Sequence, residues 1–261
     1  MFVQSSSNGS SIELPAWFAT PGGAGPYPAI VLAHGCNGLN ADDPSSAWQQ
    51  MSNWASTFRQ WGYATLILDS YTSRGWSNIC SNVNVFSPTD RAIDFYSAAA
   101  TLAKTAAVSP QEVGLFGDSQ AGASFVQALD NSAYGLGNAR SALASAGGKI
   151  GAAALLYPVC SDITGHTFSA PLFIAAGSAD TWTSPATCES LTNFPAASST
   201  PVDVPGFGAL VRIIVYPNAT HAFDVNAPDR TTSLGYYLHY DARATADVQA
   251  RIQNFFDTYV R

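Results

Sequence analysis

Lysine is nearly absent from this chain: Lys104 and Lys149 are the only two among 261 residues, and charged residues of all kinds make up 11%. The net charge is −7 and no Lys or Arg cluster forms the basic stripe that tracks a phosphate backbone, which argues against nucleic acid as a partner. Long apolar runs are missing too. None reaches the ~20 residues that a spanning helix requires, so no membrane span is expected. Histidine is limited to His34, His166, His221 and His239. The cysteines Cys36, Cys80, Cys160 and Cys188 show neither CxxC spacing nor a paired-His pattern, so no zinc site is indicated. Neither a metal nor an organic cofactor is expected. The first residues, Met1 to Ser7, lack the basic and apolar regions of a secretory leader.

What is present is material for one large core. Hydrophobic residues are 47% of the chain and aromatics 12%, with a surface left mostly to Ser, Thr, Ala and Asn. A single domain over 1–261 is expected, with 1–27 supplying N-terminal edge strands and no second domain. An even cysteine count on a lysine-poor, Ser/Thr-rich chain fits disulfides in an exported protein. Four buried free thiols in a cytoplasmic protein are the alternative. A periplasmic or secreted location, with a mature form carrying an added Met, is the expectation. The oligomeric state is not legible.

Short apolar runs punctuate the chain: 29–33, 63–68, 113–116, 152–157, 172–176 and 211–216. Each is apolar on both faces, the mark of a strand buried between two layers. Helical patterns fall between them, over 45–61, 89–104, 120–129 and 183–194, with a last one over 244–259 that carries Val248, Ile252, Phe255 and Phe256 on one stripe. The segment 11–19 is an extended edge, with Pro15 tolerable only at an edge or bulge. The stretches 131–149 and 196–208 are expected to be loops or short helical decorations. The alternation predicts an α/β fold with a mostly parallel central sheet and helices on both faces. Ligands of such sheets bind beyond the carboxyl ends of the strands.

At one such end stands Gly117-Asp118-Ser119-Gln120-Ala121-Gly122, a strand-to-helix turn that lifts a serine hydroxyl above the sheet. Serine is a poor nucleophile unless a base takes its proton and an acid orients the base. His221 follows the last long strand and faces the same edge, which makes it the base; Asp180 follows the strand before, which makes it the acid. Asp162, Asp203 and Asp224 are competing acids, and capping of the helix near Thr183 competes for Asp180. Acyl transfer also needs donors for a developing oxyanion. The Gln120 N–H supplies one, and the Cys36 N–H, in the loop His34-Gly35-Cys36-Asn37-Gly38, the second. His34 is expected to shape that loop as a hydrogen-bond partner.

These motifs, together with Asp69-Ser-Tyr-Thr-Ser-Arg-Gly, Gly177-Ser-Ala-Asp-Thr-Trp-Thr and Tyr216-Pro-Asn-Ala-Thr-His-Ala-Phe-Asp, resemble the dienelactone hydrolase family of α/β-hydrolases from about Pro28 to the C-terminal helix. The resemblance implies the α/β-hydrolase fold and a triad at Ser119, Asp180 and His221. Two positions depart from the family. Members that act on dienelactone use a cysteine nucleophile, so Ser119 implies general ester hydrolysis. Ala121 stands where the turn usually has Gly, a methyl to be absorbed by local backbone adjustment.

The expected activity is therefore a serine carboxylic-ester hydrolase acting on a small-molecule or polymeric ester. Lactonase, acyltransferase or peptidase chemistry on the same triad is the alternative, and a non-catalytic protein of the same fold is the more distant one. Loop order pairs Cys36 with Cys80 and Cys160 with Cys188, because each pair joins loops at one sheet edge. Arg74 is the cation expected near the mouth, either holding a substrate carboxylate or paired with Asp69 or a loop carbonyl. Trp76 and Trp182 are the expected pocket walls.

Overall fold

The computed structural model describes residues 1–39, 47–192 and 200–261. The elements run β1 (Phe2–Ser5), β2 (Ile12–Ala19), β3 (Tyr27–Ala33), α1 (Ala47–Gln60), β4 (Ala64–Leu68), α2 (Pro88–Ala103), β5 (Val108–Asp118), α3 (Ala121–Leu129), α4 (Gly137–Ser145), β6 (Lys149–Leu156), β7 (Leu172–Gly177), α5 (Ala186–Thr192), β8 (Val202–Val204) and β9 (Val211–Tyr216). A two-stranded hairpin, β10 (Arg230–Thr231) and β11 (Tyr237–Leu238), precedes α6 (Ala242–Tyr259). The expected helix starting at Ser45 and the one ending at Phe194 both extend outside the described residues.

Strand β3 shows why the apolar runs lack polar alternation. Ile30 and Leu32 face one helical layer while Ala29, Val31 and Ala33 face the other, and all five are fully buried. Around it one sheet forms in the order β1-β2-β4-β3-β5-β6-β7-β9-β8. The strands from β4 to β9 in that order are parallel, and β1, β2 and β8 add antiparallel edges. Helices α1 and α6 cover one face and α2, α3 and α4 the other. On α6 the stripe Val248, Ile252, Phe255 and Phe256 is buried, each side chain contributing about 2 kcal/mol of transfer free energy. Its N-terminus is capped by Asp241, which accepts from the N–H groups of Arg243 and Ala244.

Three local expectations need correction. Pro15 is not on an edge, because β1 pairs outside it; it sits at the end of the β1 register, beside the point where β2 turns to pair with β4 at Ala16. Helix α2 begins at Pro88 with Ser87 as its cap, ahead of the Thr89 expected, because proline at the first position needs no N–H partner. Within the expected loop 196–208, Val202–Val204 forms an edge strand on β9.

Candidate active site

The turn after β5 carries the strain that its sequence suggests. Ser119 has φ +50°, a left-handed value that side-chain-bearing residues rarely adopt, and its N–H donates to Leu156 O at 2.9 Å. Gly35 on the neighbouring loop is required for close approach: a Cβ there would meet Asp118 Oδ2 at 2.7 Å. The Ala121 methyl is accommodated mainly because position 117 is glycine, whose Cβ would stand 3.0 Å from it. Tyr157 and Ala222 also have positive φ, +38° and +56°, so three strained residues converge on one site.

The Ser119 hydroxyl is directed at His221 Nε2, 3.1 Å away. His221 Nδ1–H donates to Asp180 Oδ2 at 2.8 Å, which fixes the tautomer whose Nε2 lone pair faces serine. Other Asp–His pairs exist, His166 with Asp130 and His239 with Asp229, but among the described residues neither histidine has a serine on its other nitrogen, and both rings are more exposed, at 33% and 49% against 6% for His221. The competition over Asp180 resolves by oxygen. Oδ1 accepts the Trp182 and Thr183 N–H groups at 2.8 and 2.9 Å, closing a turn ahead of α5, and Oδ2 remains for His221. The other acids are placed differently: Asp203 pairs with Arg212 on the exposed β8 edge, and Asp162 falls in a short 3-10 turn after β6.

Several supporting residues escaped the sequence. Thr183 Oγ1 lies 2.7 Å from Asp180 Oδ2, 2.8 Å from Tyr157 O and 3.0 Å from His221 Nδ1. Asp224, three residues beyond His221, accepts from Tyr157 OH and Trp54 Nε1, each at 2.7 Å, and from Gln50 Nε2 at 2.9 Å. This ties the histidine loop to α1. Gln50 was the available signal, a polar residue inside the buried stripe Ala47, Met51 and Trp54.

His34 is fully buried and hydrogen-bonds Gly35 O through Nδ1 at 2.8 Å, as its structural role requires. Burial first, and the Arg91 charge second, hold its pKa well below the usual histidine range, so it stays neutral. Arg91, unsuspected on an alanine-rich helix, is also fully buried and donates to His34 O and Gln120 Oε1. Asp118 Oδ1 is buried without a partner among the described protein atoms. Burial, then repulsion from Asp224, pushes the Asp118 carboxyl up to about 8. Neither the Cys36 nor the Gln120 N–H is donated to another described group, while Cys36 O accepts from Ile79 N–H at 2.8 Å.

Two cavities meet at Ser119 and share Cys36 and Trp182 as walls. A chamber of about 60 Å³ is lined by His221, Asp118, Gln50, Asn37, Tyr157 and Arg230 among others. A cleft of about 510 Å³ is lined by Gln120, Cys80, Val83, Phe86, Ala123 and Val159 among others. Trp182 therefore stands where a pocket wall was expected, with its ring 4.9 Å from His221 and stacked on Tyr236. Trp76 does not. It packs against Tyr71 and Phe86 outside both linings, following the left-handed Gly75. Arg74 takes the alternative role expected of it, at a loop carbonyl: its side chain is 6% exposed, bonded to Ser70 O and Ser7 Oγ and paired with the fully buried Asp94 at 3.0 Å. Asp69 is not its partner but accepts the Tyr71 and Thr72 N–H groups. Arg230, on β10, lines the smaller cavity at the site.

Both disulfides join the expected pairs, Cys36–Cys80 and Cys160–Cys188. The first ties the Cys36 loop to a wall of the larger cleft. Among the described residues no cluster of His, Cys, Asp or Glu could hold a metal ion, and no helix is long and apolar enough to cross a membrane.

A serine, an aspartate and a histidine beyond the ends of β5, β7 and β9 in a mostly parallel sheet define an α/β-hydrolase architecture. The dienelactone hydrolase family profile matches residues 14–260, and the chain belongs to that family. Membership makes it a carboxylic ester hydrolase. The fold is similar to that of a Klebsiella pneumoniae subsp. pneumoniae MGH 78578 protein assigned as a dienelactone hydrolase (16% identity, 99% of this chain and 98% of that chain, TM-score 0.69). It is also similar to the dienelactone hydrolase-like promiscuous phosphotriesterase P91 from metagenomic libraries (17%, 100% and 98%, TM-score 0.65). A third similar structure is the esterase Est2 of Thermogutta terrifontis (15%, 97% and 90%, TM-score 0.62). No curated protein sequence matches the chain.

Proposed function

We propose that this protein hydrolyses carboxylic esters through a covalent serine mechanism. The observation that carries the reading is the continuous relay from Ser119 Oγ to His221 Nε2 at 3.1 Å and from His221 Nδ1 to Asp180 Oδ2 at 2.8 Å. His221 takes the Ser119 proton as Oγ attacks the carbonyl carbon, and the Cys36 and Gln120 N–H groups hold the oxyanion, a term worth roughly 3–4 kcal/mol per donor. Collapse of the tetrahedral species breaks the bond to the alcohol, which leaves with the proton from His221. Water, deprotonated by His221, then releases the acid and restores the serine. Asp180 keeps His221 in the productive tautomer throughout.

The two disulfides support an extracytoplasmic location, periplasmic or secreted. A p-nitrophenyl ester assay tests the activity: turnover in the wild type that falls by about 10³-fold or more in Ser119→Ala supports the mechanism, and unchanged turnover in Ser119→Ala removes it.

A further inference from the structure

The two cavities differ in size and in their relation to His221. In a tetrahedral intermediate on Ser119, the departing alcohol oxygen must take its proton from His221 Nε2, so the alcohol has to lie on the side that the imidazole faces. Among the described residues, His221 lines the 60 Å³ chamber and not the 510 Å³ cleft. We propose that the chamber receives the alcohol and the cleft receives the acyl group, so that the preferred substrates are esters of bulky apolar acids with small alcohols such as methanol or ethylene glycol. This rests on the serine mechanism proposed above and names the substrate class it serves.

Size points the same way. A volume of 60 Å³ holds roughly four waters or an alcohol of one or two carbons. Its walls offer Gln50, Asn37 and Arg230, and also Asp118, which is 5% exposed and whose Oδ1 has no protein partner. After the alcohol leaves, the same space admits the water that His221 must deprotonate. The cleft has the room and the surface for a large acyl group: Phe86, Val83, Val159 and Ala123 lie in its wall, with Val83 and Val159 about two-fifths exposed, at 41% and 42%. Apolar surface left open to water beside a nucleophile favours an apolar acyl chain or ring.

The test is a grid of kcat/KM values for methyl, 2-hydroxyethyl and n-butyl esters of 3-phenylpropionic and acetic acids, whose leaving alcohols differ little in basicity. The assignment predicts that phenylpropionates exceed acetates, and that methyl and 2-hydroxyethyl esters exceed n-butyl esters, by about tenfold or more in each case. Leu238→Ala, which enlarges the chamber, should reduce the n-butyl penalty, and Val159→Trp, which fills the cleft, should depress phenylpropionates selectively. Preference for acetates or for n-butyl esters, or equal rates across either series, overturns the assignment. Hydrolysis that survives Ser119→Ala is a separate result, which removes the serine mechanism itself.

Discussion

Thr183 places its hydroxyl 2.7 Å from the one oxygen of Asp180 that also serves His221. The Thr183 N–H meanwhile binds the other oxygen, so a single residue orients both halves of the carboxylate. Thr183→Val keeps the shape and removes the hydroxyl, at a cost of about 1–2 kcal/mol in transition-state stabilisation. The expected outcome is a kcat roughly tenfold lower with KM little changed, recovered in Thr183→Ser. Steady-state kinetics on the three proteins decides it, and a change confined to KM would speak against an orienting role.

Asp118 gives a pH signature. Its folded pKa, raised to about 8 by burial and then by Asp224, lies above the ordinary carboxyl value, so between about pH 4 and 8 the unfolded chain has released a proton that the native state retains. Asp118 therefore contributes most favourably below pH 4, and its contribution is lost progressively as pH rises towards 8. Asp118→Asn removes this dependence. Denaturant titrations should find the variant close to wild type at low pH and progressively more stable than wild type as pH rises from about 4 to 8. A stability difference that does not change with pH contradicts the buried protonated acid.

The Cys36–Cys80 bridge closes a 44-residue separation and Cys160–Cys188 a 28-residue one. In the chain-entropy model these contribute about 4 and 3.6 kcal/mol. Cys36→Ser/Cys80→Ser should lose stability of this order and should lower kcat as well, because Cys36 carries a proposed oxyanion donor. Cys160→Ser/Cys188→Ser should lose stability with a smaller kinetic effect. Thermal unfolding and kinetics on the two double variants separate these outcomes.

Arg74→Met leaves Asp94 buried without its counter-ion, a change that typically costs 3–5 kcal/mol. The destabilisation should appear in denaturant unfolding, with KM unaltered in the fraction that remains folded. A raised KM with unchanged stability would return Arg74 to the substrate site.

What the sequence made legible follows from where the fold puts chemistry. The parallel strands are apolar on both faces, so their ends could be located, and Ser119, Asp180 and His221 stand immediately beyond three of those ends. The six runs and the α6 stripe were readable for the same reason, since burial dictates their period. Thr183, Gln50, Arg91 and Asp224 were harder because their roles depend on partners far along the chain. Gln50 meets Asp224 across 174 residues, and no local pattern encodes that contact. Arg74 and Arg230 show the converse. Proximity in sequence to a strand end favoured Arg74, whereas its guanidinium turns inward to Asp94, and Arg230, on the later β10, lines the chamber. Trp76, following the left-handed Gly75, lies outside both linings.

The central claim is that Ser119 is the nucleophile activated by His221. Incubation with paraoxon followed by intact-protein and peptide mass spectrometry tests it most directly. The account predicts one diethylphosphoryl group per chain, on the peptide containing Ser119, with labelling abolished in Ser119→Ala and slowed strongly in His221→Ala. Labelling of another residue, or undiminished labelling of the Ser119→Ala protein, would contradict it.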